Sequence, residues 1–129
     1  MNPDDRKYTK EHEWVKIQDA TSNLAIVGIT QYAQEQLGDV VYIDMPDIGS
    51  NIVHMEKMGE IESVKAVSDL FSPVSGEVTK VNGELLDHPE IVNEDPYNEG
   101  WILQVILSDP QELEVLISAG EYESFVEEA

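Results

Sequence analysis

The chain has 129 residues, 41% of them hydrophobic, with 27 acidic against 7 basic side chains and a formal charge of -20. This balance argues against nucleic acid and anionic membranes as partners, because both are bound by neutralising phosphate with cations, and no stretch approaches the ~20 apolar residues of a membrane helix. With no cysteine, the chain has no disulfide, thiolate metal site or thiol nucleophile of its own.

The length suits one domain spanning 1–129. The opening residues, acidic at Asp4 and Asp5, form neither an apolar signal core nor an Arg-rich transit peptide, so a cytoplasmic location is expected. From there the chain reads as short strands: 13–17, 24–29, 40–45 (stopping before Pro46), 52–53, 59–63, 66–71, 76–81 and 101–107. Turn signals at 46–49, 72–76 and 81–83 separate them. Two helical pieces interrupt the pattern. Thr30 is placed to cap a short helix through Leu37, with Gly38 behind it. Near the end, Ser108, Asp109 and Pro110 open a helix with Leu113, Leu116 and Ile117 on one face, and Tyr122, Phe125 and Val126 repeat the stripe. Pro46-x-x-Gly49 and Pro73-x-x-Gly76 form a faint repeat on either side of 64–65, as a duplicated half-sheet would. The class is mainly β, a sandwich or small barrel with short peripheral helices.

Lys65 is the residue that stands out. Between Lys16 and the C-terminus the only other basic residues are Lys57 and Lys80. If the chain reverses within 62–69, Val64 and Lys65 form the tip of a hairpin. Tight hairpin tips favour Asn-Gly and similar pairs with positive φ, and Val is among the poorest residues there. A tip that breaks the local rule marks either a misassigned element or a functional site held by its surroundings. An amine with no neighbouring base, phosphate loop or metal cluster is a weak catalyst but a good attachment point. The histidines His12, His54 and His88 are too scattered for a metal site, and no nucleophile–base pair is visible, so an enzyme is not expected.

The segment Glu62-Ser63-Val64-Lys65-Ala66 with Ser68-Asp69, followed by Ser72-Pro73-Val74-Ser75-Gly76-Glu77-Val78, resembles the lipoylation segment of glycine cleavage system H proteins. His12-Glu13-Trp14-Val15, Val27-Gly28-Ile29-Thr30, Ala33-Gln34, Leu37-Gly38-Asp39-Val40-Val41, Val92-Asn93, Pro96-Tyr97, Gly100-Trp101 and Glu112-Leu113-Glu114 extend the likeness over nearly the whole chain, in order.

The resemblance implies a barrel-sandwich hybrid, with lipoate amide-linked to Lys65 on a β-turn. It implies a shuttle that carries an aminomethyl group from glycine decarboxylase (P protein) to the tetrahydrofolate-dependent aminomethyltransferase (T protein). Dihydrolipoamide dehydrogenase (L protein) reoxidises the arm, a separate enzyme attaches the lipoate, and the protein is a monomer. Residue by residue, Glu13 and Asp69 match acids that contact the loaded aminomethyl group. Glu62 and Gly76 match positions that lipoylating enzymes read in related proteins, although Gly76 serves equally as a turn glycine. The chain departs from the family pattern at Tyr32 (often His), Glu11 (often Ser) and Asn98 (usually Gly).

Three other readings compete. Met55-Glu56-Lys57-Met58 approaches a biotin carrier's Met-Lys-Met. An H-like lipoyl carrier that relays lipoate without glycine turnover shares the lysine segment. An unmodified acidic interaction module is the third.

Overall fold

A computed structural model describes residues 2–128. Among the described residues are strands β1 (Lys7–Tyr8), β2 (Glu13–Asp19), β3 (Leu24–Ile29), β4 (Val40–Asp44), β5 (Asn51–Ile52), β6 (Lys57–Ser63), β7 (Val67–Phe71), β8 (Gly76–Val81) and β9 (Leu103–Leu107). Helices α1 (Gln31–Leu37), α2 (Glu84–Asp87), α3 (Ile91–Glu94) and α4 (Ala119–Glu127) lie between and after them, with a 3-10 helix at Pro110–Val115.

The strands form a six-stranded sheet in the order β1-β2-β3-β9-β8-β5 and a three-stranded sheet in the order β4-β6-β7. Every pairing is antiparallel. The sheets pack as a sandwich rather than closing into a barrel. Alternation along the strands sends Val15, Ala25, Val27, Ile43, Ile61, Leu70, Val78, Leu103 and Val105 into one core between them.

A second, smaller cluster lies under α4, where Tyr8, Trp14, Ala119 and Tyr122 are buried together. Helix α4 starts on a full capping box: the Ser118 hydroxyl accepts from the Glu121 amide, and the Glu121 carboxylate accepts from the Ser118 amide. Trp14 faces Gly28 across the β2–β3 pair. Its indole lies so close that a Cβ on Gly28 would stand 2.5 Å from the ring, and its N–H donates to the Ile29 carbonyl at 2.8 Å.

The structure differs from the sequence expectation in several places. The segment after Ser108 is capped by Asp109, with Pro110 at its first position, and it winds as a 3-10 helix that stops at Val115. Leu116 is already extended, and Ile117 bridges to Tyr8 through paired backbone hydrogen bonds of 2.9 Å. Leu113, Leu116 and Ile117 therefore do not share a helical face. β1, α2 and α3 were not anticipated; each is only two to four residues long, too short to leave a periodic signal. The two Pro-x-x-Gly turns lead into β5 and β8, which pair with each other at Ile52–Gly76. The sheets are unequal, so this pairing does not make two duplicated halves.

Gly28→Val should push the Trp14 indole off its strand, lowering stability in denaturant unfolding by about 1–3 kcal/mol and shifting the tryptophan emission. Unchanged emission and midpoint would show that the close contact is dispensable.

Candidate functional site

Lys65 sits at the free end of the β6–β7 hairpin, and the turn is built from outside itself. Among the described non-glycine residues only His12, Asn23 and Met55 have positive φ, so Val64 and Lys65 do not adopt the primed turn that Val resists. The buried Ser63 side chain replaces it. Its Oγ accepts from the Lys65 amide at 3.3 Å and the Ala66 amide at 3.2 Å, while the Ser63 amide donates to the Ala66 carbonyl at 2.8 Å. The Val64 amide donates to the Asp39 carbonyl at 3.0 Å, tying the tip to the segment between α1 and β4.

Asn93 on α3 holds that segment. Its side-chain amide donates to the Gly38 carbonyl at 2.8 Å and to Gln34 Oε1 at 2.9 Å, and its Oδ1 accepts from the Val40 amide at 2.9 Å. Gly38 ends α1 at a φ of 79°, and the Lys65 stem lies over it: a Cβ there would be 3.2 Å from Lys65 Cε. Only glycine combines that backbone with that space. Among the described residues Lys65 makes no ion pair. Lys57, by contrast, is held by Glu60 at 2.7 Å and Asp69 at 3.3 Å, which leaves the rival lysine engaged at the start of a strand.

Beside the tip opens a cleft of about 420 Å³ between the two sheets and α1. Glu11, His12 and Glu13 line one wall, Tyr32, Ala33, Gln36 and Leu37 another, and Ala66 to Leu70 the third. Glu13 is only 2% exposed. Its carboxyl accepts from the Thr9 hydroxyl at 2.7 Å, and backbone amide groups nearby favour its ionised form. Burial outweighs those hydrogen bonds and pushes the carboxyl up to about 8.

Asp69 stands at the rim of the cleft. Cross-strand register pairs it with Glu60, and Lys57 holds its carboxylate on the outer face of the hairpin. Glu13 and Asp69 thus border one cleft, but their carboxylates face different surroundings.

Glu62 lies outside the cleft, on the outer face, in a cross-strand row with Tyr42 and Val67. The next row on that face is Asp44, Glu60 and Asp69. Gly76 is remote from the hairpin, in the six-stranded sheet. A Cβ there would be 2.1 Å from the Ile106 carbonyl oxygen, so close strand approach accounts for the glycine. Tyr32 packs against His12 with centroids 4.7 Å apart and the rings tilted by 44°, and Glu11 adds a further acid to the cleft wall. The part played by Thr9 was not visible in the sequence, since it comes from the turn that sets His12 at a φ of 73°.

The family model described as Glycine cleavage H-protein matches residues 6–129. The chain is 51% identical over 126 residues to the glycine cleavage system H protein of Anaeromyxobacter sp. (strain K), covering 98% of this chain and 96% of that one. It is 54% identical to the protein of the same name from Rubrobacter xylanophilus, covering 98% and 95%. The crystal structure of a glycine cleavage system H protein from Mycobacterium marinum superposes with a TM-score of 0.87 at 40% identity, over 95% of this chain and 97% of that one.

Glu13 gives the site a pH signature. Unfolded, its carboxyl titrates near 4.5; folded, near 8. Between those values the folded protein holds a proton that the unfolded chain has released, so this contribution is fully present below pH 4.5 and is lost as pH rises through 8. Glu13→Gln removes the titration while keeping an acceptor. Its stability relative to the parent, from denaturant curves, should improve by more than about 1 kcal/mol between pH 5 and pH 9. Parallel curves at both pH values would show that Glu13 is ionised in the fold.

Proposed function

The chain belongs to the glycine cleavage H-protein family, and we propose that it works as one lipoyl-carrier domain over 1–129, with lipoate amide-linked to Lys65. It is a carrier component of a multienzyme system rather than an enzyme. The observation that carries the reading is an exposed lysine that makes no ion pair among the described residues, held at a hairpin end by Ser63 and Asp39 with Gly38 beneath its stem, beside a cleft with a buried carboxyl. The residues fit the group. The amine is accessible for amide formation, Gly38 leaves room along its stem, and the cleft is polar on one side and apolar at Leu37, Ile61 and Leu70.

A bound lipoyl group supplies a disulfide that can take up an aminomethyl group and later be reoxidised, chemistry that a cysteine-free chain lacks. The chain's own residues do the rest. The tether keeps the reacting end at an effective concentration of order mM near a docked enzyme. Glu13 offers a carboxyl that can ionise against an entering ammonium, and a buried ammonium needs such a partner. Asp69 at the rim meets the same cation if Lys57 releases it. The cleft shields what it holds from bulk water.

The partners are glycine decarboxylase, the tetrahydrofolate-dependent aminomethyltransferase, dihydrolipoamide dehydrogenase and a lipoate-attaching enzyme. Each has to approach the Lys65 end. There the outer face presents Val64 (69% exposed), Tyr42 and Val67 next to Glu62, Glu60 and Asp44. A basic surface with an apolar centre fits that face.

Incubation with a lipoate-attaching enzyme should place the adduct on Lys65 in peptide maps, and Lys65→Arg should fold and remain unmodified. An adduct on Lys57 overturns the assignment. If the lipoylated protein supports no glycine-dependent turnover with the three partner enzymes, the relay carrier is the correct reading. Turnover in that reconstituted system should fall steeply as salt rises to about 0.5 M, where screening shortens to a few ångströms. A flat salt response removes the electrostatic account of docking.

A further inference from the structure

One buried hydroxyl links the C-terminal helix to two walls of the cleft. Tyr122 on α4 and Thr30, the N-cap of α1, are both fully buried. Tyr122 Oη lies 2.8 Å from Thr30 Oγ1 and 2.6 Å from His12 Nδ1. Each hydroxyl carries one proton that must find an acceptor.

Thr30 Oγ1 already accepts from the Ala33 amide at 3.2 Å. Among the described residues its other hydrogen-bond partner is Tyr122, so the Thr30 proton goes to Tyr122 Oη. The Tyr122 proton is then left with one acceptor, His12 Nδ1. If Nδ1 carried a hydrogen instead, one of the two buried hydroxyl protons would be stranded without an acceptor, which burial penalises. The imidazole is therefore neutral, with its hydrogen on Nε2. Burial also lowers the pKa of His12, against a smaller opposing effect from Glu11.

No side-chain nitrogen or oxygen that is buried among the described residues lacks a hydrogen-bond partner, and no hydrogen bond within those residues uses His12 Nε2. That N–H is thus open to solvent on a ring that lines the cleft. The ring is packed by Tyr32 from α1 at 4.7 Å, by Tyr122 at 5.7 Å and by Phe125 from α4 at 6.0 Å. Lys10 lies 5.5 Å over the far Phe125 ring. Glu11 and Glu13 flank it along the chain.

We infer that His12 is a binding residue of the cleft, held by Tyr122 as the neutral Nε2–H tautomer to donate a hydrogen bond to a neutral acceptor on the Lys65-linked arm, while the carboxyls take the cationic cargo. The inference rests on the carrier reading above for what enters the cleft. The tautomer itself does not depend on that reading. Tyr122 acts as a positioning residue, through His12. A charged imidazolium at this position would compete with an ammonium for Glu13, and the Thr30–Tyr122–His12 chain disfavours it.

The test is long-range proton–nitrogen correlation of the His12 ring at neutral pH, first in the unlipoylated protein. A single Nε2–H tautomer is expected, with both tautomers populated in Tyr122→Phe. Nδ1–H or a charged ring in the parent protein would overturn the inference, as would an unchanged tautomer in Tyr122→Phe. The second arm compares the parent before and after lipoylation, verified by intact mass. The Nε2 proton should shift and exchange more slowly once the arm is attached, and this change should be lost in Tyr122→Phe. An unshifted Nε2 in fully lipoylated protein overturns the binding role. A protein that takes no lipoyl adduct overturns the carrier reading instead, and leaves the tautomer result standing.

Discussion

Asn93 fixes the corner on which the lysine hairpin rests. Its carboxamide satisfies the Gly38 carbonyl, the Gln34 side chain and the Val40 amide. A short helix that ends abruptly and a strand that starts two residues later are thereby held at one angle. The Asp39 carbonyl at that corner takes the Val64 amide. The tip consequently needs no glycine and no positive φ, and it can present Val64 and Lys65 where a self-sufficient turn would demand Asn-Gly. A tip stabilised by its neighbours keeps its shape when the lysine changes charge, because nothing that holds it involves the amine.

The acids are distributed in a way that stability alone does not explain. Asp44, Glu60 and Asp69 face one another across three adjacent strands, and like charges directly opposite one another weaken a sheet. Lys57 offsets part of that repulsion by bridging two of the three. On a chain with a formal charge of -20, every further surface acid also adds to the self-repulsion of the compact state. On the proposed carrier reading, the rest would be offset from outside the sheet by a basic partner docked on this face. The exposed Tyr42, Val64 and Val67 would give that partner apolar contact in the same place.

Much of this was legible in the sequence, and the parts that were not share a physical reason. Strands β2, β3, β4, β6, β8 and β9 were readable because each buries residues against the core and carries an alternating or β-branched pattern, and β7 because turn signals bound it. The cap at Thr30 and the glycine at Gly38 were readable because capping chemistry is local. The 3-10 winding of Pro110–Val115 was hidden, since its apolar spacing is compatible with an α-helix until Leu116 is pulled extended by the bridge of Ile117 to Tyr8. The unusual tip at Val64 and Lys65 drew attention for a sound reason, but its solution through Ser63, Asp39 and Asn93 is a tertiary one. Glu13 and Asp69 could be placed near the lysine by resemblance. That one is buried with its carboxyl pushed up by burial, while the other is exposed and paired with Lys57, follows only from the tertiary structure.

The small aromatic cluster under α4, with the polar chain from Tyr122 to Thr30 and His12, explains why a carrier of this size keeps a C-terminal helix at all. Glu13 has to be buried to hold its proton in the absence of a cation, and a buried carboxyl needs a rigid lid and satisfied neighbours. Thr9 supplies one hydrogen bond and the turn at His12 the geometry. His12 is held in turn by Tyr122, which the Ser118–Glu121 capping box and the stack on Tyr8 at 5.0 Å keep in register. With His12 neutral and the Glu13 carboxyl pushed up to about 8 by burial, the acids left to the cleft lie at its edge, Glu11 on the wall and Asp69 at the rim beside Lys57. On the proposed carrier reading, a cation that enters would displace the Glu13 proton and gain a carboxylate in a low-dielectric wall, whereas an arm without charge would meet a neutral donor and an apolar floor. Such a cleft would tell a loaded arm from an empty one by charge.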